Sequence, residues 1–262
     1  MAAKEKKTKN GKRKERPFSE TAVPEGKKPF LTRPSKKKVV IPPTEARKKD
    51  DERNSDAIQW KSTSEQATLL TESFYTVCGS RLSSLERESI PEASVVPLSD
   101  ERDRSVESLG FHMKRMVPKW KDILCGPRDT EQESLRAAGS PTLLVLCSSA
   151  VRCIELLRGL SVFTKSCKPV KLFAKHIKVD EQVTLLKEQV YIAAGTPNRV
   201  RKLADLGALA FEQSSIVLLD MHRDAKGLTL LSVPEVRDEF WELYRTHVHQ
   251  RVLDKQLRLC LF

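Results

Sequence analysis

Short apolar runs alternate with helix-forming stretches over the second half of this 262-residue sequence. The runs fall at 142–147, 170–173, 190–194, 215–219 and 257–262. The first of them is almost continuously apolar, which is typical of a strand that is buried on both faces of a sheet. Strands separated by helices favour parallel pairing, because the intervening helix returns the chain to the end at which each strand starts. The alternation therefore predicts an α/β fold, in which helices flank a mostly parallel sheet.

Helical periodicity begins before the first strand. The spacing of apolar residues predicts helices over 65–77 and 81–88, and the valines of 94–96 favour a short extended stretch. We therefore assign residues 61–93 to a helical lead-in and residues 94–262 to the α/β domain.

Residues 1–60 have a different composition from the rest of the chain. Residues 1–53 hold 18 basic and 8 acidic side chains, a net charge of +10, whereas residues 54–262 hold 29 and 27, a net charge of +2. The same segment is rich in proline and poor in apolar side chains, so burial cannot offset the entropy lost on ordering it. We expect a disordered basic tail.

The clustering of basic residues in this tail favours contact with nucleic acid. Such clusters release counterions from a polyphosphate and add salt-dependent affinity that does not depend on sequence. They also suit nuclear import. The alternative is a tail that only keeps the protein soluble.

The cysteine and apolar patterns exclude several classes of protein. Six cysteines form no C-x-x-C pair, and the longest uninterrupted apolar run has five residues, so we expect a reduced intracellular protein without a membrane span. No zinc-binding spacing of histidine and cysteine occurs, and we expect no metal and no other cofactor. Cys147 and Cys153 lie in apolar surroundings and are expected to pack in the core.

Groups suited to phosphate follow the predicted strands. In a parallel sheet, functional residues gather beyond the carboxyl ends of the strands. These ends offer ammonium, imidazole, hydroxyl and guanidinium groups, together with the free N–H groups of a helix start. Residues 171–202 have a net charge of +4, so the basic excess is local. The predicted residues that bind a nucleic-acid backbone are Ser149, Lys175, His176, Lys178, Thr196, Arg199, Arg201 and Lys202.

Each of these residues also has a purely structural interpretation. Thr196-Pro197 can simply be a well-capped helix start, and the lysines can be solvated surface groups. Asp220 with Asp224 and Arg223 could hold a metal ion, although an ion pair that ties the strand end to the next loop is favoured. The sequence alone leaves these alternatives open.

Residues 94–262 resemble the first RecA-like domain of DEAD-box RNA helicases. Thr196-Pro197-Asn198-Arg199 matches the Thr-Pro-Gly-Arg element of that family. Residues 148–152 take the place of its Pro-Thr-Arg-Glu-Leu element, and Lys175-His176 that of its Gly-Gly element. The Asp-Glu-Ala-Asp box falls on Asp220-Met221-His222-Arg223. The resemblance implies a RecA-like domain with a degenerate box.

Two departures from the helicase pattern argue against ATP hydrolysis. A phosphate-binding loop needs glycines with Lys and Ser/Thr, and residues 97–106, where it would lie, contain neither glycine nor lysine. Met221 stands in place of the general-base glutamate and cannot accept a proton. We therefore expect a pseudo-helicase that is not an enzyme and binds no nucleotide.

Longer strings are similar to the Cms-one family, a component of the early pre-ribosome. They are residues 146–152, 171–179 and 195–199, the Pro118-Lys119-Trp120 triplet and the final Leu261-Phe262. The family's Asp-Trp-x-x-Arg-Asp-x-Lys element appears at 220–226 without its tryptophan. This resemblance implies a nucleolar setting with RNA binding.

Together these observations predict a non-catalytic RNA-binding factor of small ribosomal subunit assembly, located in the nucleus and nucleolus. Its expected partners are precursor ribosomal RNA and pre-ribosomal assembly proteins. The alternative is a protein-interaction adaptor in the pre-ribosome, which uses the RecA-like body as a docking surface.

Overall fold

Five parallel β-strands form the centre of the computed structural model, which describes residues 57–84, 86–126 and 137–262. In chain order they are β1 (Leu143–Leu146), β2 (Val170–Leu172), β3 (Ile192–Gly195), β4 (Ile216–Leu219) and β5 (Arg258–Leu261). Their order in the sheet is β2-β3-β1-β4-β5, and each neighbouring pair is parallel. The predicted fold class is confirmed, and both ends of every strand lie within two residues of the predicted ends.

Helices cover both faces of this sheet. In the described part of the chain they are α1 (Thr63–Cys78), α2 (Leu109–Met116), α3 (Trp120–Leu124), α4 (Ala150–Gly159), α5 (Val179–Leu185), α6 (Pro197–Asp205), α7 (Pro234–Leu243) and α8 (His249–Leu253). A π-helical segment, Tyr244–Val248, joins α7 to α8. The predicted basic tail lies outside the described residues except for its last four, where Ile58–Trp60 form a 3-10 turn.

Alternate side chains of the strands enter two separate cores. Leu144 and Leu146 face α1, α6 and α7, whereas Leu143 and Val145 face α2 and α4. All four are at most 1% exposed, as expected for a strand that is covered on both faces. Cys147 and Cys153 are fully buried in the second core, which confirms that they pack in the interior.

Local sequence signals set the helix starts. Ser62 and Glu65 form a reciprocal capping box at α1. Ser149 Oγ accepts the N–H of Arg152 at 3.3 Å and so caps α4. Proline occupies the first turn of both α6 and α7, where its missing N–H has no intrahelical acceptor to lose.

The lead-in contains one of the two predicted helices. The helix predicted over 65–77 is confirmed as α1, but the helix predicted over 81–88 is wrong, because the described residues from 82 to 91 contain no helix. This segment runs back along α1. Tyr75 Oη donates to the carbonyl of Arg87 at 2.7 Å, and Thr71 Oγ1 accepts the N–H of Ile90 at 3.0 Å. These long-range bonds replace the local helical ones.

The valines of the predicted extended stretch lie beside β5. Val95 forms a parallel bridge with Leu259, and the N–H of Val96 donates to the carbonyl of Leu259 at 2.8 Å. The chain after Val96 therefore leaves the sheet at the same edge as the loops after β1 to β4. This carboxyl edge is where the predicted functional residues were expected to meet.

Candidate nucleic-acid interface at the carboxyl edge

The loop after β2 presents three groups that can carry positive charge. Lys175, His176 and Lys178 are exposed, and none of their side chains bonds or pairs with another described residue. His176 adopts a left-handed conformation with φ of 62°. An exposed cation without a carboxylate partner is free to pair with a phosphate oxygen.

Arg199 holds this loop in place from α6. Its Nη1 donates to the carbonyl of Ile177 at 3.1 Å and to Oε1 of Gln182 at 2.6 Å. Gln182 is fully buried, and its Nε2 donates to the carbonyls of Lys171 and Phe173 at 2.7 and 3.1 Å. The Arg199 guanidinium therefore links α6, α5 and the end of β2, and its position fixes the shape of the loop.

The start of α6 lies next to the loop after β2. Thr196 is the N-cap residue, and its side chain makes no capping hydrogen bond. Its backbone N–H donates to the carbonyl of Leu172 at 3.1 Å, which ties the helix start to the end of β2. A Cβ on Gly195 would lie 2.3 Å from that same carbonyl oxygen, so only glycine allows this approach. The first turn of α6 thus brings free N–H groups near the exposed lysines.

We call Lys175, His176 and Lys178 the strip, and Arg201 does not add a free cation to it. It pairs with Glu239 of α7 at 2.7 Å and with Asp205 at 3.1 Å. The hydrogen bond with Glu239 raises the pKa of the Arg201 guanidinium. Asn198 also donates to Glu239, at 2.9 Å. Lys202 is exposed one turn beyond the start of α6.

A cleft of about 580 Å³ separates the starts of α6 and α7. Its walls carry Glu235, Asp238, Glu239 and Glu242. Three of these carboxylates are paired with arginines: Glu239 with Arg201, Glu242 with Arg81 and Arg245, and Asp238 with Arg237. Among the described residues, Glu235 is thus the one cleft carboxylate without a partner, and we call this the acidic cleft.

The corner after β4 is closed by an ion pair. Asp220 is 1% exposed, and its two carboxylate oxygens accept Nε and Nη2 of Arg152 at 2.9 and 3.1 Å. Burial disfavours the charged guanidinium, but the hydrogen bonds and the charge of Asp220 outweigh burial, so the pKa of Arg152 is raised. Asp220 thus forms a structural ion pair, but the pair ties the end of β4 to α4 through Arg152, so the predicted tie to the next loop through Arg223 is wrong.

Two of the other three residues of the degenerate box, Met221 and Arg223, also bond within the fold. Met221 is 1% exposed, and its N–H donates to the carbonyl of Phe262 at 2.7 Å. Arg223 donates to the carbonyl of Gly227 at 3.1 Å, and His222 is exposed. Asp224 accepts the N–H groups of the two residues that close its loop, Lys226 and Leu228.

The cysteine thiol in this corner is poorly suited to act as a nucleophile. A hydrogen bond with Cys153, reinforced by burial, raises the pKa of Cys147 well above its usual value. Among the described residues, no group of three histidine, cysteine, aspartate or glutamate side chains could hold a metal ion.

The structure thus brings Ser149, the loop after β2, Thr196 and the degenerate box to one edge. Sequence reasoning missed the contributions of Gln182 and Arg152. A signal for Gln182 exists, because Val179, Gln182, Val183 and Leu186 recur at helical spacing and place the amide on the apolar face of α5. Arg152 had no comparable signal, since its partner lies 68 residues away in sequence.

The sequence is similar to the proteins of one described family. The sequence model of a family described as "CMS1: U3-containing 90S pre-ribosomal complex subunit" matches residues 2–262. The human protein CMSS1 is 33% identical over 180 residues, which cover 68% of this chain and 60% of the human protein. CMSS1 of Xenopus laevis is 34% identical over 61% of this chain and 54% of its own length. CMS1 of Chaetomium thermophilum is 34% identical over 60% of this chain and 62% of its own length. The matched region thus spans little more than half of these relatives.

Two DEAD-box proteins are among the similar solved structures. The yeast DEAD-box splicing factor Prp28 has a TM-score of 0.42 at 14% identity, over 63% of this chain and 34% of its own chain. A DEAD-box protein from Methanococcus jannaschii has a TM-score of 0.31 at 16% identity, over 47% of this chain and 31% of its own chain. No helix in the described ranges is both long and apolar enough to cross a bilayer.

Proposed function

Since this chain belongs to the CMS1 family, we propose that it acts in the U3-containing 90S pre-ribosomal complex as a non-catalytic RNA-binding protein of the nucleolus. The observation that carries this proposal is the open loop after β2, where Lys175, His176 and Lys178 are exposed and lack a partner in the described chain. Precursor ribosomal RNA is the proposed ligand and assembly proteins are the proposed neighbours.

The arrangement of charges suggests the path that the RNA takes over the surface. Lys175, His176 and Lys178 contact phosphates on one side, and the hydroxyl of Thr196 and the free N–H groups of α6 donate to phosphates beside them. Ser149 extends the same edge towards α4. The unpaired Glu235 carboxylate of the cleft between α6 and α7 repels a phosphodiester chain, so we place the RNA from the start of α6 towards β2 and away from α7.

Three features support the absence of catalysis. The Asp220 carboxylate is paired with Arg152 and buried, so it is not available to bind a magnesium ion. Met221 supplies no base. In the segment where a phosphate-binding loop would lie, Asp103 accepts the hydroxyls of Ser105 and Ser108, which places a carboxylate where a phosphate would need donors. We expect neither ATP turnover nor heat of ATP binding by calorimetry, and either result would contradict the proposal.

A charge-reversal experiment tests the RNA interface. The strip variant is Lys175→Glu/Lys178→Glu. The matched control is Lys187→Glu/Lys255→Glu, two exposed lysines that precede β3 and β5 and so lie at the amino ends of the strands. The probe is a fluorescent oligouridylate of about 20 nucleotides, longer than the sites of most single-strand-binding folds. Loss of two phosphate contacts lowers the affinity of the full chain for RNA about tenfold. The salt slope, that is, the slope of the logarithm of the binding constant against the logarithm of salt concentration, falls in magnitude by about 1.4. Equal behaviour of the strip variant and the control would contradict the proposal.

The acidic cleft favours a second function, that of a protein-interaction adaptor. Its Glu235 carboxylate, which has no partner among the described residues, suits a basic segment of an assembly protein better than RNA. Removing residues 1–53 separates the two functions, once circular dichroism shows that the shortened chain is folded. RNA binding that persists without these residues supports the RNA interface. RNA binding that disappears supports the adaptor, with RNA contacted only by residues 1–53.

A further inference from the structure

A long stretch of the chain around β2 carries only positive charge. Residues 158–178 contain six lysine and arginine residues and no acidic one, and residues 114–121 contain four basic residues and no acidic one, followed by the exposed Asp122. Lys165, Lys168 and Lys171 are exposed and precede the strip, and none pairs with a carboxylate in the part of the chain that the structure describes. The cationic surface therefore continues from the carboxyl end of β2 past its amino end.

An aromatic group lies within this surface. The Nζ atoms of Lys114 and Lys121 lie 4.9 and 5.7 Å from the centre of the Trp120 ring. The ring is half-buried and packs edge-on against Phe163, with the ring centres 5.4 Å apart. Phe163 lies only two residues before Lys165, so α3 and the segment before β2 form one face.

A second contact joins the same two segments. Cys167 Sγ donates to the carbonyl of Cys125 at 3.0 Å, next to Lys168. Lys114 and Arg158 line one cleft of about 440 Å³ together with Glu107, Gly110 and Gly159, so two cations face one carboxylate there. Lysines from α2 and α3 thus lie beside cations from the end of α4 and the approach to β2. We call this surface the Trp120 face, defined by Lys114, Lys119, Trp120, Lys121, Arg158, Lys165 and Lys168.

The free edge of β2 is closed to another strand. In the described sheet β2 pairs with β3 alone, but the buried Gln182 amide donates to the carbonyls of Lys171 and Phe173. Addition of an extended peptide at this edge would have to displace those bonds. What the edge offers to a partner is therefore the exposed Lys171 side chain between the strip and the Trp120 face.

We propose that the Trp120 face is a second contact surface for single-stranded RNA, which runs from the strip along the edge of β2 to Trp120. This proposal rests on the RNA interface proposed above and extends it. Single-stranded RNA supplies both phosphates for the row of cations and planar bases for an aromatic ring. An acidic peptide would supply only the negative charges.

The test compares three charge-matched variants of the full chain. The face variant is Lys121→Glu/Lys168→Glu, the strip variant is Lys175→Glu/Lys178→Glu, and the control is Lys187→Glu/Lys255→Glu. All three change the net charge equally, and thermal unfolding confirms that each is folded. Against the oligouridylate of about 20 nucleotides, the face variant binds about tenfold more weakly than the control and its salt slope falls by about 1.4. The same oligonucleotide with 4-thiouridine crosslinks to peptides within 113–124 or 161–171.

The outcomes separate this proposal from the one on which it rests. A face variant that binds like the control overturns the Trp120 face, whatever the strip variant does. A strip variant that binds like the control, with a weakened face variant, overturns the strip and retains the Trp120 face. Polyglutamate whose binding depends on Lys121 and Lys168, combined with RNA binding that does not, overturns the proposal in favour of an acidic protein partner.

Discussion

The two halves of the carboxyl edge use charge in opposite ways. In the closed corner, after β1 and β4, Asp220 and Arg152 satisfy each other through two hydrogen bonds, and the carboxylate is 1% exposed. In the open loop, after β2, Lys175 and Lys178 are exposed and have no carboxylate partner within the described residues. The two halves lie at one edge of the same sheet, but the ion pair of the closed corner has no charge left for a ligand, whereas the lysines of the open loop do.

The difference shows that position at a strand end does not by itself make a residue functional. A phosphate in the closed corner would have to displace a carboxylate from a buried guanidinium, and the freed carboxylate would stay buried without a partner. A phosphate at the open loop replaces only water. The corner after β4 therefore holds a structural ion pair, whereas the loop after β2 offers free cations.

The largest expected effect is on stability, from loss of the ion pair between Arg152 and Asp220. Arg152→Ala leaves Asp220 as an uncompensated buried charge and lowers the free energy of unfolding by about 3–5 kcal/mol. The double variant Arg152→Met/Asp220→Leu removes both charges and recovers most of that loss. Urea unfolding of the native chain, of Arg152→Met, of Asp220→Leu and of the double variant closes the cycle and gives the coupling energy directly.

The control for this cycle is Arg223→Ala. Arg223 is exposed and bonds only within its own loop, so the change costs less than about 0.5 kcal/mol. An Arg152→Ala variant that is as stable as Arg223→Ala would show that the corner is not closed, and the contrast between the two halves would be lost.

The next effect lies at the junction of the two halves. Gly195→Ala would place a Cβ 2.3 Å from the carbonyl oxygen of Leu172, a backbone atom that cannot move without shifting β2. We expect a loss of about 3 kcal/mol in urea unfolding, at the upper end of overpacking costs. Gly207→Ala is a useful comparison, because nothing lies within 4 Å of the added methyl group there and the cost comes only from its φ of 67°. Equal losses would show that the close approach of β3 to β2 is not rigid.

A smaller effect is expected for the arginine that shapes the open loop. Arg199→Ala removes two hydrogen bonds from a charged donor and lowers the free energy of unfolding by about 2 kcal/mol. Arg199→Lys keeps the charge but cannot reproduce the planar donor, so the loop still loosens.

Hydrogen exchange at residues 174–178 measures that loosening. Faster exchange in both Arg199 variants shows that Arg199 positions the loop. If Arg199→Lys instead exchanges like the native chain, charge alone is sufficient and Arg199 is not a positioning residue.

How much of this could be predicted from sequence differs between fold and site. The strands were predictable because each apolar run has a single environment, a sheet buried on both faces. The helix predicted over 81–88 failed because Tyr75 and Thr71 provide hydrogen-bond partners from α1, and no local pattern reveals them. Periodicity reports which side of an element is buried, but not what the other side bonds to.

The same limit applies to the site. The edge and its exposed lysines follow from parallel strands, and these were predictable. The sequence could not show that Arg199, Arg201 and Arg152 are already hydrogen-bonded. Each donates to an acceptor on another element, between 17 and 68 residues away in sequence. Basic residues look alike in a sequence, and only the fold separates an arginine that holds the protein together from a lysine that is free to bind.

The smallest expected effect locates the boundary between the two halves. Ser149 caps α4 and is exposed, one turn before Arg152. Ser149→Ala removes the cap and costs about 1 kcal/mol in urea unfolding, whereas Ser149→Asp restores a good cap and most of the stability. If RNA reaches this edge, the added carboxylate repels a phosphate and Ser149→Asp binds the oligouridylate about threefold more weakly, with no such loss in Ser149→Ala. Unchanged RNA affinity in Ser149→Asp would confine the RNA to the β2 and β3 half, because a partly exposed charge next to a bound phosphate must affect binding.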